Sequence, residues 1–194
     1  CVGKALPLCE VKLSEQNEIL IKHDALMLGY YKEAKMTAET IKDGWLYTGD
    51  EGSIDVDGFL KITGRVKDLF KSSKGKYVAP SPIEMKLSAN KNIENVCVVG
   101  DGLPQPIALV VLSEYAKGRS KEDVAASLAK TLSVVNPKLD HHEKVKRLVV
   151  LQGEWTIENK LLTPTMKVKR NSVEKMHKVN YEVWYDKAEQ VVWE

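Results

Sequence analysis

The sequence predicts an α+β protein in two parts: a short β-meander that would complete a small barrel, then a compact α+β domain. Three observations carry this. Residues 1–64 hold short apolar runs separated by turn residues, with room for one short helix. After Arg65, strand-length apolar runs alternate with amphipathic stretches that carry helix-start signals. The change falls at Gly64 to Asp68, which sets boundaries of 1–64 and 65–194.

Glu18 to Lys22 is a compact apolar run with polar flanks and reads as a strand. Lys35 to Ile41 predicts a short helix. Ile54 to Ile62 alternates around Asp57-Gly58, a strong local hairpin signal. Further on, Ser81-Pro82-Ile83-Glu84 has a capping serine, a first-turn proline and a glutamate three residues after the cap, so a helix is expected from Ser81. Ile93 to Val99, Ile107 to Leu112 and Arg147 to Leu151 are predicted strands. Ser120 and Asp123 open a second helix, with Val124, Leu128, Leu132 and Val135 on one face and Pro137 at its end. Tyr181, Trp184, Tyr185 and Ala188 recur at helical spacing, as a core or interdomain stripe. Repeats and low-complexity segments are absent.

An apolar fraction of 43% supports a core for one substantial domain, or for one domain and a piece of another. The 29 basic and 27 acidic residues are interspersed and leave a net charge of +2, so nothing demands nucleic acid or an anionic membrane. No run approaches the roughly 18 apolar residues of a membrane span. Cys1, Cys9 and Cys97 show no metal-like spacing and predict reduced thiols in a cytoplasmic setting. His141-His142 lies in a polar turn and reads as surface, and no metal centre is expected. The chain starts at Cys1 with neither an initiator methionine nor a signal peptide, and is expected to be the carboxy-terminal piece of a longer polypeptide.

Three separated polar segments carry chemistry. In Tyr47-Thr48-Gly49-Asp50, a carboxylate beside a glycine can grip a vicinal diol, although Gly49-Asp50 alone reads as a turn. In Gly64-Arg65-Val66-Lys67-Asp68, the planar fork of Arg65 can reach the same sugar or a phosphate, although a lone arginine after a strand is usually a solvated surface residue. In Leu162 to Arg170, Lys167 can bring a point charge to a phosphoryl or carboxylate oxygen, with Lys169 as the competing lysine. A fourth stretch, Lys71 to Pro80, is a basic loop containing Gly75 and reads either as a solvated turn or as a ligand-facing loop.

In that order, these segments resemble the carboxy-terminal part of the adenylate-forming (AMP-binding) acyl-CoA ligases. The resemblance runs from Val2-Gly3-Lys4 to about Lys178. It implies that Asp50 and Arg65 hold the ribose of ATP or AMP and that Ile62 lies near the adenine. Lys167 would be the catalytic lysine that bridges the attacking carboxylate and the α-phosphate. Lys67, with Asp68 beside it, would be the hinge. Gly75, with Lys71, Lys74 and Lys76, would line the path of coenzyme A in the thioester step. Met27 to Tyr31 also resembles the family and is assigned to packing. Two departures stand out: Lys74 and Met166 occupy positions where relatives often have glycine. The Thr-x-Lys-x-Lys-Arg form at Lys167 points toward ligases for long-chain fatty acids.

The implied activity is acid–thiol ligation in fatty acid metabolism: ATP and a fatty acid give acyl-adenylate, and coenzyme A then displaces AMP. Mg2+ would screen the ATP phosphates, with its ligands in an amino-terminal domain that would also be this chain's partner. The chain alone is expected to be inactive. Peripheral membrane contact is left open. Two alternatives stand: an adenylation domain that hands its acyl group to a carrier protein, and a noncatalytic nucleotide-binding or interaction module.

Overall fold

A computed structural model describes residues 1–194, which separate into two compact units, Cys1–Asp68 and Leu69–Glu194. The first unit contains β1 (Glu10–Leu13), β2 (Glu18–Lys22), α1 (Ala34–Thr40), β3 (Ile41–Lys42), β4 (Trp45–Ile54) and β5 (Leu60–Arg65). Its strands form one antiparallel sheet in the order β1-β2-β4-β3, with β5 also paired to β4. The sheet is open: these strands do not close a barrel. Only Ile19, Leu20, Gly52 and Gly64 are buried here, and Val2, Leu6, Leu8, Leu28, Tyr31 and Val56 are exposed. The packing role expected of Met27 to Tyr31 is therefore not met within this chain, because Leu28 and Tyr31 point outward.

The second unit contains β6 (Phe70–Lys71), β7 (Tyr77–Val78), α2 (Pro80–Leu87), β8 (Ile93–Val99), β9 (Ile107–Leu112), α3 (Glu114–Lys117), α4 (Lys121–Val135), β10 (Leu148–Val150), α5 (Arg170–His177), α6 (Tyr181–Tyr185) and β11 (Val191–Trp193). Its main sheet has the order β11-β10-β9-β8, with β8 and β9 antiparallel and β10 parallel to both neighbours. Apart from Glu94 and Asn95 near the start of β8, the strands are apolar, because both faces are covered. Val96, Val98, Ala108, Val110 and Leu148 pack with Ile83 and Leu87 of α2 and Leu128 and Leu132 of α4. The alternate residues, Cys97, Val99, Leu109 and Val149, pack with Val173, Tyr181 and Trp184 on the other side. This is the period-two division of a strand buried between two helical layers.

Helix α4 begins as expected: the Ser120 hydroxyl accepts the Asp123 amide at 3.1 Å, and the helix passes into a short turn at Asn136–Lys138. Helix α2 does not begin as expected. Its cap is Ala79 and Pro80 is its first residue. The glutamate of the anticipated capping box does not fold back, because Glu84 Oε1 accepts the Val98 amide of β8 at 2.7 Å. A tertiary bond has taken the carboxylate that a local cap would use.

One loop design recurs at Ser14–Glu18, Asp55–Phe59, Ser72–Lys76 and Thr163–Lys167. In each, the first residue accepts the amide of the fourth, a tight turn. It then exchanges its own amide with the carbonyl of the fifth. A side-chain oxygen of the first residue also accepts the amide of the fifth. The fourth residue has a left-handed backbone in every case: Asn17, Gly58, Gly75 and Met166. This is the three-residue hairpin in which a turn is followed by a left-handed bulge residue.

Candidate adenylate-handling site

Asp50 and Arg65 face each other across β4 and β5, and Arg65 Nε meets Asp50 Oδ1 at 3.1 Å. Three local devices hold the carboxylate. The Thr48 hydroxyl donates to the Ile19 carbonyl at 2.8 Å and accepts the Asp50 amide at 3.1 Å. The Gly49 amide donates to Glu18 Oε1 at 2.8 Å. Gly49 has a φ of +73°, and a Cβ there would lie 3.3 Å from Arg65 Nη2. Glycine therefore supplies both the backbone turn and the room for the guanidinium. The Arg65 side chain is more than half exposed, so the pair is open to a ligand. Glu18 escaped the sequence reading because its role is a backbone contact 31 positions away.

Ile62 lies on β5 and is exposed. Lys67 and Asp68 form a single 3-10 turn with Val66, directly after β5.

The stretch from Lys71 to Lys76, expected as a loop, is the tip of a hairpin between β6 and β7. Gly75 is its left-handed residue, and Lys74 and Lys76 are exposed beside it. The buried Ser72 closes the loop through its hydroxyl, 3.2 Å from the Lys76 amide. The Ser73 amide donates to the Leu103 carbonyl at 2.9 Å, which seats the hairpin on the body of the second unit.

Lys167 ends the hairpin that opens at Thr163, and Leu162 bridges Val168 across its base. The Lys167 amide donates to Thr163 Oγ1 at 3.0 Å, and the Thr163 and Thr165 hydroxyls lie 3.0 Å apart. The backbone of Lys167 is thus held on both sides while its side chain is exposed. Met166 takes the left-handed position with a φ of +61°, the conformation for which glycine is the favoured residue. Lys169, also exposed, precedes α5.

The sequence reading gave Arg170 and Glu84 no joint role. Arg170 Nη2 meets Glu84 Oε1 at 2.5 Å, and Nη1 donates to the Val98 carbonyl at 2.6 Å. Both side chains are largely buried. The lysine hairpin is thereby tied, three residues after Lys167, to the helix that follows the Gly75 hairpin. A glutamate three residues after a serine has the local pattern of a cap, and nothing near Glu84 in sequence points to Arg170.

The structure thus brings Asp50 and Arg65 together in the first unit. Lys71 to Lys76 and Lys167 sit on two hairpins of the second. No group of three His, Cys, Asp or Glu side chains is placed to hold a metal ion. The three cysteines are free thiols. No helix is long and apolar enough to cross a membrane.

The chain is similar to known proteins. The chain is 32% identical over 203 residues to the long-chain-fatty-acid–CoA ligase FadD15 of Mycobacterium tuberculosis, with 96% of this chain and 34% of that protein covered. It spans about a third of the length of the curated relatives it matches. Among solved structures, the adenylation domain of a carboxylate reductase from Mycobacterium chelonae superimposes with a TM-score of 0.79 at 23% identity, over 92% of this chain and 31% of that one. The corresponding domain from Segniliparus rugosus, in complex with AMP and a co-purified carboxylic acid, gives 0.77 at 22%, over 95% and 33%. At these identities the structural likeness establishes the fold. Residues 67–189 match the model of the AMP-binding enzyme C-terminal domain, and the chain belongs to that family.

Proposed function

We propose that this chain is the carboxy-terminal part of an ATP-dependent long-chain fatty acid–CoA ligase. The observation that carries the reading is the partly exposed Asp50–Arg65 pair across β4 and β5, on the same chain as a lysine fixed at the end of a hairpin. The chain length of the acid rests on the likeness to a long-chain ligase.

In the first step, a carboxylate oxygen of the fatty acid attacks the α-phosphorus of ATP, and the bond to pyrophosphate breaks. Asp50 and Arg65 hold the ribose, with Ile62 near the adenine. Lys167 places its ammonium between the attacking carboxylate and the α-phosphate oxygens, a contribution of ~3–4 kcal/mol to the transition state. In the second step, the thiol sulfur of coenzyme A attacks the acyl carbon and AMP departs. The unit that carries Lys167 turns about Lys67 and Asp68, which withdraws the lysine and brings up Gly75 with Lys71, Lys74 and Lys76. Mg2+ is assigned no residue of this chain. Acting alone, without a partner amino-terminal domain, the chain turns nothing over.

A second reading has one observation in its favour: the adenylation domains of carboxylate reductases share the fold. Under it, the acyl group passes to a carrier protein's thiol.

The test is pyrophosphate release by the enzyme that contains this chain, with fatty acids of graded length, amino acids as controls, and Lys167→Ala beside the parent. Release that depends on fatty-acid length and collapses in the variant supports the ligase. Product captured only by a carrier-protein thiol and never by coenzyme A favours the second reading. No release with any acid points to a noncatalytic nucleotide-binding module.

A further inference from the structure

A cleft of about 420 Å³ lies between α2 and α4, and none of its lining residues belongs to the Gly75 or Lys167 hairpins. All four charged residues that line it are cations, and they come from four segments. Lys86 is on α2 and Lys91 on the loop before β8; Arg119 precedes α4 and Lys130 is on its second half. Elsewhere in the chain acidic and basic residues are mixed almost evenly. Four like charges around one concavity repel each other, and a bound anion would relieve that repulsion.

The floor beneath them is built rather than incidental. Asn90 Nδ2 donates to the Thr131 hydroxyl at 2.7 Å, and its Oδ1 accepts the amide and side-chain nitrogen of Asn92 at 2.9 and 2.8 Å. The buried Asn92 also donates to Ser127 Oγ at 2.9 Å. One guanidinium nitrogen of Arg119 is tethered to Asn92 Oδ1 at 3.3 Å, and the group lies over the Tyr115 ring at 5.7 Å. The arginine is pre-aimed at its base, which lowers the entropy lost when its remaining N–H groups bind an anion. Tyr115 and Val134, both more than half exposed, give the cleft an apolar wall. Its volume is that of a site for an organic ligand.

We propose that this cleft binds a phosphate monoester attached to an organic group. The phosphate sits among Arg119, Lys130, Lys91 and Lys86, and the organic part lies against Tyr115 and Val134. A soluble metabolite and a phosphomonoester lipid headgroup share this chemistry. None of the residues that line it is assigned to adenylation.

The test titrates the 194-residue chain with phenyl phosphate, and with inorganic phosphate for comparison, by two-dimensional amide NMR. Sedimentation with phosphatidylcholine vesicles, with and without phosphatidic acid, distinguishes the sources. Phenyl phosphate should shift the Asn90, Asn92, Ser127 and Thr131 signals saturably and bind more tightly than inorganic phosphate. Affinity should fall about tenfold or more in Arg119→Gln/Lys130→Gln. It should stay unchanged in Lys138→Gln/Lys146→Gln, which removes the same charge from exposed positions outside the cleft. Sedimentation only with phosphatidic acid, lost in the first variant alone, assigns the site to a headgroup. Shifts that never saturate, or equal losses in the two variants, with no vesicle binding that depends on Arg119 and Lys130, would overturn the site.

Discussion

Arg170 and Glu84 stand 86 positions apart in sequence and meet at 2.5 Å between the sheet and its helices. Glu84 Oε1 also accepts the Val98 amide, and Arg170 also donates to the Val98 carbonyl, so one residue of β8 is held by both partners. The pair fixes the start of α5 against α2, and with it the base of the Lys167 hairpin.

Removing one member leaves the other's charge largely buried, so Arg170→Met or Glu84→Gln should each destabilise the second unit by about 3 kcal/mol. The double variant should lose clearly less than the sum of the two. Urea unfolding of the four proteins provides the cycle, and strictly additive losses would show that the pair is not coupled.

Met166 predicts an unusual gain. It is the residue without glycine's freedom, or asparagine's tolerance, at the left-handed position of the recurring hairpin. Met166→Gly should stabilise the chain by up to about 1 kcal/mol, partly offset by the looser unfolded chain. Met166→Val should lower stability, because a branched β-carbon is worst there. Thermal melts decide it, and a loss with glycine would mean that the methionine side chain holds the loop.

These cases show what the sequence could disclose. The Asp57-Gly58 hairpin, the Ser120 cap and the strands β8 and β9 were legible because their signals are local. The start of α2 was not, since Glu84 satisfies a distant strand in preference to its own helix. Three-residue β11 was not, because it is a strand only by pairing with β10 and hides within the aromatic-rich tail. Asp50 and Arg65 were legible as separate residues. Their direct opposition follows from a register shift at Glu51 and Gly52 that no local pattern announces.

His177 gives the second unit an acid-side sensitivity. It is buried beside Trp184, and burial pushes its pKa below the ordinary 6.5, with the Glu194 carboxylate pulling it partly back. The unfolded chain therefore binds a proton more readily than the folded one. Stability from this group is present above pH 6.5 and is lost as pH falls through 6.5 toward the depressed folded value. His177→Gln should flatten that part of the stability profile relative to the parent. Denaturant midpoints measured from neutral to mildly acidic pH give the comparison, and parallel profiles would mean that the histidine does not titrate differently on folding.

The Asp50–Arg65 pair should matter for binding far more than for folding. It is partly exposed, and ion pairs of that kind contribute about 0–1 kcal/mol. Asp50→Asn should therefore leave the unfolding midpoint of the chain nearly unchanged. In the enzyme that contains this chain, the same change should weaken AMP binding by roughly tenfold or more, because the charged acceptor proposed for the ribose hydroxyls is lost. Gly49→Ala should do the reverse. It strains a left-handed backbone and crowds the Arg65 guanidinium, so it lowers stability by about 1 kcal/mol and disturbs the ligand groups only through Arg65. Calorimetric AMP titration beside thermal melts separates the two. If Asp50→Asn lowers stability as much as it lowers affinity, the pair is a structural bond and the ribose must be held elsewhere.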